Sequence, residues 1–169
     1  MEHDVIIRFA DTGDINSIGF LAHRIWPATY GHILTEAHLQ YMLQMMYSPA
    51  SLKKQMQEQK HVFMLAELED EPVGFASFSE TGKAGVFKLH KIYVSTTVQG
   101  KGLGKALLAA VTEEIKTLGA TALQLNVNRN NKAKEFYERQ GFTVIKEEDI
   151  AIGNGYLMND YVMEKVLSS

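Results

Sequence analysis

The chain has no cysteine among its 169 residues, which excludes disulfides, thiolate metal ligands and a covalent mechanism through a protein thiol. Its three prolines are scattered, and no Pro/Gly/Ser linker, internal repeat or low-complexity tract divides it. A single domain over residues 1–169 is expected. No apolar run approaches the roughly 18 residues that span a bilayer, and "MEHDVIIRF" lacks the basic, then apolar, then small-residue order of a leader. A cytoplasmic location and no membrane partner are therefore expected. Positive charge is not in excess either. With 17 Lys+Arg against 20 Asp+Glu the formal charge is −3, so no global field draws nucleic acid, and a cationic substrate is mildly favoured.

What is present is ordinary globular material, 46% apolar and 22% charged, in a chain long enough to bury a real core. "VIIRF" (Val5 to Phe9) reads as a strand. Asp11 can cap a helix with Ile15, Ile18, Ala22 and Ile25 at helical spacing and Asp14 three residues past the cap. Thr35 caps a second helix carrying Leu39, Met42, Leu43 and Met46, and Pro49 suits the first turn of a third. The period then changes. His61 to Leu68 and Val73 to Glu80 are β-rich runs joined by "EDEP", and Gly85 to Val94 is another. A helix follows with Leu103, Leu107, Val111, Ile115 and Leu118 on one side and Gly119 placed to end it. "ALQLNV" reads as a strand, "NNKAKEFYERQ" as a helix, and "FTVIKEE" with "YLMNDYVMEKV" as a hairpin turned at "GNG". This order predicts an α+β (mixed α/β) fold with a partly antiparallel sheet and one βαβ unit.

That βαβ unit carries "IYVSTTVQGKGLGKALLAA" (Ile92 to Ala110), in which Gly100, Gly102 and Gly104 lie between a strand and a helix. Glycine lets backbone N–H groups approach a ligand, and a helix N-terminus presents unpaired donors with about half a positive charge. Phosphate is the natural guest; Lys101 and Lys105 add charge. Two familiar phosphate loops are tested by spacing. A P-loop needs its first glycine at Gln99 and Ser or Thr at Ala106, so it is rejected; a dinucleotide fingerprint needs glycine at Lys105, so that reading is weak.

The segment Gln99, Gly100, Lys101, Gly102, Leu103, Gly104 resembles the core motif Gln/Arg-x-x-Gly-x-Gly/Ala of the GCN5-related N-acetyltransferase family. Asn130, Ala133, Tyr137, Gly141 and Phe142 resemble its C-terminal segment, with the asparagine uncertain by one residue because Asn131 follows. The resemblance implies a mostly antiparallel mixed sheet of about seven strands with splayed fourth and fifth strands, and acetyl-CoA as co-substrate without a metal. It places the diphosphate on Gln99 to Lys105 and the pantetheine arm on Ile92, Tyr93 and Val94, with Val94 N–H as oxyanion donor and Asn130 and Tyr137 near the cofactor. By the same resemblance Trp26, Tyr30 and His32 in "WPATYGHIL" are acceptor-pocket candidates, with core packing as the alternative. "WPATY" and "NDYVMEK" resemble the polyamine and small-amine branch.

Direct attack of an amine on the thioester is the simplest route without cysteine. An amine of pKa about 10.4 is free base in only about one part in 10³ to 10⁴ at pH 7, a deficit near 4–5 kcal/mol. His90 is a candidate base because a regular strand puts it on the face of Val94; a bulge would reverse that. Glu80 and Asp160 are weaker candidates for carrying protons or binding a cation. Tyr137 is the candidate donor to the leaving thiolate, uphill by about 1.5 pKa units, so it acts by hydrogen bonding as much as by proton transfer. Acceptors other than a small amine are a protein lysine or N-terminus. A non-catalytic acyl-CoA sensor or a nucleotide-binding module are the readings from other classes, and C-terminal edge strands could pair in a homodimer.

Overall fold

The computed structural model describes residues 5–98 and 102–167. Its elements in chain order are Val5–Ala10 (β1), Ile15–Tyr30 (α1), Glu36–Tyr47 (α2), Pro49–Gln57 (α3), Val62–Leu68 (β2), Glu71–Glu80 (β3), Val86–Val94 (β4), Leu103–Thr117 (α4), Ala122–Asn128 (β5), Ala133–Arg139 (α5), Thr143–Gly153 (β6) and Tyr156–Val166 (β7).

Side-chain alternation along the inner strands sets the architecture. In β2, Phe63 and Leu65 join one buried cluster while Met64 and Ala66 join the other. A strand buried on both faces belongs inside a sheet covered on both sides. Accordingly α1, α2 and α3 pack on one face through Ile18, Ile25, Leu43 and Leu52. The other face takes α4 and α5 through Leu107, Val111, Ile115 and Tyr137. The strands form one seven-stranded sheet in the order β1-β2-β3-β4-β5-β7-β6. All described neighbours are antiparallel except β4 and β5, the parallel pair that α4 joins.

Local chemistry fixes the element ends, with three adjustments to the sequence reading. Asp11 does cap, accepting from Gly13 N at 2.8 Å while Asp14 accepts from Asp11 N at 3.0 Å, but it opens a short 3₁₀ turn, so α1 starts at Ile15. Helix α5 starts at Ala133 rather than Asn130, because Asn131 Oδ1 takes the Ala133 N–H at 2.9 Å and holds the preceding residues in a turn. Strand β6 runs on to Gly153, past Glu148; it is an edge strand with mostly exposed side chains, so no apolar alternation marks its length. Thr35 Oγ1 accepts from His38 N at 3.1 Å, and Pro49 opens α3 behind the Ser48 cap, both where the sequence placed them.

Candidate active site

Parallel pairing of β4 with β5 covers Val86–Leu89 against Ala122–Leu125 and then stops. Beyond it, β4 stays on β3 as far as Gly74 opposite Val94, and β5 stays on β7 as far as Asn128 opposite Asp160. Two strands held by their outer neighbours but not by each other leave a wedge. It contains a cavity of about 230 Å³ walled by Leu89 to Val94 on one side and Leu125, Asn126 and Val127 on the other, with Tyr30, Asn131 and Tyr137 around it. Alternate peptide groups on the β4 edge have no β5 partner there and are free to pair with a guest.

A second cavity of about 450 Å³ shares Ile92, Val94, Ala133 and Tyr137 with the first and extends to Gly102, Gly104, Lys105, Phe136 and Arg139. It ends at the start of α4. Gly102 takes φ 74°, which glycine adopts without strain, and supplies no side-chain cap. Among the described residues the first helical bond runs from Ala106 N to Gly102 O, and the N–H groups of Leu103, Gly104 and Lys105 have no carbonyl partner within α4. Lys105 is exposed beside them, and Arg139 adds a second cation that the sequence reading missed. Its signal was spacing, since Arg139 follows Phe136 by one helical turn. Uncapped donors and two cations at one end, and a narrow apolar-walled wedge at the other, fit a diphosphate joined to a thin arm. Gln99, Gly100 and Lys101 lie outside the described residues.

Tyr137 borders both cavities and is 8% exposed. Phe136 and Phe142 pack edge-on against its ring at 5.3 and 5.8 Å. Burial first, and Tyr30 second, push its hydroxyl well above the usual phenol value, so it is a neutral O–H donor. Tyr30 OH pairs with Tyr93 OH at 3.0 Å and takes Asn131 Nδ2 at 3.4 Å, which brings three residues of the first cavity together. Trp26 stands behind them, 1% exposed, its Nε1 donating to Tyr47 OH at 3.2 Å and its ring 4.5 Å from that of Tyr30. It backs the cavity without lining it. His32 is exposed in the turn after α1, and Glu80 is exposed opposite Phe87 at the far end of β3. Of the two adjacent asparagines, Asn131 lines the cavity and Asn130 is exposed, so the single-residue ambiguity falls to Asn131.

The placement of His90 on the face of Val94 is corrected. Ser77 pairs with Lys91 and Phe78 with Leu89, so His90 is an extra residue, a bulge that switches the faces of β4. Before it, Phe87 and Leu89 point to the α4 side; after it, Ile92 and Val94 do. His90 instead bonds Ser79 Oγ through Nε2 at 2.7 Å and stacks on His61 at 3.9 Å. Burial, helped by His61, pushes it down to about 3, too weak a base for an amine at neutral pH.

The same bulge buries Lys91. Its Nζ donates to Gln55 Oε1 at 2.8 Å and lies 5.6 and 5.7 Å from the rings of Tyr47 and Phe63, with His61, His90 and Ser77 nearby. Burial pushes it down to about 8 from 10.5. The folded chain therefore loses this proton before the unfolded chain does. The cost of burying the charge is whole below pH 8 and fades as pH rises to 10.5. In urea melts, the unmodified protein should gain about 3 kcal/mol relative to Lys91→Met across that interval. A constant difference would contradict the burial.

A split parallel pair with an open helix start at its mouth fits a diphosphate carrier with a thin arm, the arrangement that the resemblance to acetyltransferases implies. The chain belongs to the acetyltransferase (GNAT) domain family, whose profile it matches over residues 33–165. A spermidine N(1)-acetyltransferase of Thermoplasma acidophilum is 24% identical over 96% of this chain and 98% of its own. An uncharacterized N-acetyltransferase of Methanocaldococcus jannaschii is 34% identical over 54% of this chain and 42% of its own. The chain spans between 26% and 58% of the length of three of the curated relatives it matches. Among solved structures, the PaiA N-acetyltransferase of T. acidophilum in complex with coenzyme A superposes with a TM-score of 0.82 at 25% identity, covering 97% of this chain and 99% of that one. The fold is that of the family.

Proposed function

We propose that this chain transfers an acetyl group from acetyl-CoA directly to a primary amine of a small molecule, a polyamine being the favoured class. The observation that carries the reading is the end of β4–β5 pairing at Leu89 and Leu125, with the open start of α4 reached through a shared cavity. Similarity over nearly the whole chain to a protein named for spermidine N-acetylation supports the acceptor class.

In this reading the N–H groups of Leu103 to Lys105, with Lys105 and Arg139, hold the diphosphate. Ile92 to Val94 pair with the pantetheine arm, and Val94 N–H faces the carbonyl oxygen. The amine nitrogen attacks the thioester carbon, the C–S bond breaks with its electrons on sulfur, and the nitrogen gives up its proton to solvent water. Tyr137 O–H hydrogen-bonds the departing sulfur; its raised pKa makes it a donor that keeps its proton. Tyr30 and Asn131 border the acceptor side.

The test is free-thiol release from acetyl-CoA with a panel of polyamines, aminoglycosides and peptides. Turnover is expected with polyamines. Turnover with peptides alone would move the acceptor to protein, and coenzyme A binding without transfer to any amine would make the domain a sensor.

A further inference from the structure

Asn126 is the first residue of β5 past the pairing with β4, at the apex of the wedge, and it lines the first cavity. Its neighbours Leu125 and Val127 belong to the cluster under α4. By alternation the Asn126 side chain is on the opposite face, the side of α1 and Tyr30. The thioester arm comes from the α4 end, so this is the side left for the acceptor.

The amide is oriented by carboxylates. Asn126 Nδ2 donates to Asp160 Oδ2 at 3.3 Å, and Glu148, the cross-strand partner of Asp160, lies near the same amide. Carboxylates only accept, so the NH₂ end is turned to them and Oδ1 away. That Oδ1 is buried and has no partner among the described residues; nor has Asp160 Oδ1, on a residue 5% exposed. The other charges facing Asp160 are Lys88, Glu148 and Arg129; Arg129 Nη2 is paired with Asp149 while its buried Nε has no partner among the described residues, and Glu148 is paired with Lys146 at 2.6 Å. Burial raises the Asp160 pKa, as expected for a carboxylate short of donors. A buried acceptor oxygen on a residue that lines the cavity calls for a guest that brings an N–H donor.

We propose that Asn126 Oδ1 accepts a hydrogen bond from the amine nitrogen of the acetyl acceptor, and that Asp160 is the positioning residue that fixes the amide for this task. The inference rests on the acetyltransferase reading above. It names where the nitrogen is held when it meets the thioester, and it supplies the donor that the buried Asn126 Oδ1 lacks among the described residues. An amine brings that missing donor; a carboxylate or carbonyl guest would not.

The experiment measures steady-state kinetics with the best amine of the panel, coenzyme A affinity by calorimetry, and thermal melting. Asn126→Ala is expected to raise KM for the amine about tenfold or more, with coenzyme A affinity unchanged. Asn126→Leu, which keeps the volume without polar atoms, should do the same and stands in if the alanine variant folds poorly. Asp160→Asn is expected to raise KM severalfold, and the Asn126→Ala/Asp160→Asn double variant to be no worse than Asn126→Ala alone, because Asp160 acts through Asn126. Unchanged KM in both Asn126 variants means that Oδ1 holds only a water, and overturns the inference. So do additive losses in the double variant, which would make Asp160 an independent structural residue. Neither result touches the acetyltransferase reading, whose failure is read on the unmodified protein as no transfer to any amine, and that result overturns both.

Discussion

Tyr137→Phe is expected to lower kcat by about 10²-fold and to leave coenzyme A affinity unchanged. The ring stays where it is, because Phe136 and Phe142 hold it edge-on and it belongs to the cluster under α4. Only the oxygen is removed, and with it the donor that the proposed mechanism places on a sulfur that becomes charged as the C–S bond breaks. The effect falls on the chemical step because that bond strengthens as charge develops. Since burial raises the hydroxyl well above the ordinary phenol range, Tyr137 adds no alkaline limb to the pH–rate profile below pH 10. An equal loss in coenzyme A binding would make Tyr137 a packing residue instead.

Gly104→Asp is expected to weaken coenzyme A binding about 10²-fold or more while leaving stability unchanged or slightly raised. A Cβ at this position meets Phe136 Cζ at 3.7 Å, an ordinary contact, so the fold accommodates the substitution. The new carboxylate lies in the first turn of α4, where the uncapped N–H groups favour negative charge by about 0.3–1 kcal/mol. The same charge repels a diphosphate from the same donors. Opposite signs for melting temperature and affinity separate this from general damage. Calorimetry and a thermal melt on one preparation read both; a fall in melting temperature that tracks the loss of affinity would contradict the assignment.

The sequence made the architecture legible where side-chain chemistry repeats along the chain. The β-rich run His61 to Leu68 marked a strand, and helically spaced Leu107, Val111 and Ile115 marked α4. Tyr156–Val166 was bounded by glycine in the tight turn before it. The functional end of α4 was legible for the same reason, because Gly102 needs a positive φ and leaves space where a side chain would sit. What stayed hidden depends on single residues. The bulge at His90 inserts one position into β4 without disturbing its composition, so the shared face of His90 and Val94, which a regular strand would give, is reversed by a feature the sequence does not mark. Asn131 was preferred over Asn130 by its hydrogen bonds to Ala133 and Tyr30, and the second of these joins residues 101 positions apart. Asn126 was legible only as one residue of the strand "ALQLNV". Its place at the apex follows from where pairing with β4 ends, which is a property of the sheet.

Backbone hydrogen exchange with and without coenzyme A tests the central claim most directly. The account expects slower exchange in peptides covering Ile92 to Val94, Leu103 to Lys105 and Asn126 to Val127. It expects unchanged exchange at a separate cavity of about 560 Å³, where Ser17, Phe20 and Arg24 of α1 face Glu71 and Pro72 of β3. Protection of the α1 segment with none at the β4–β5 split would contradict it.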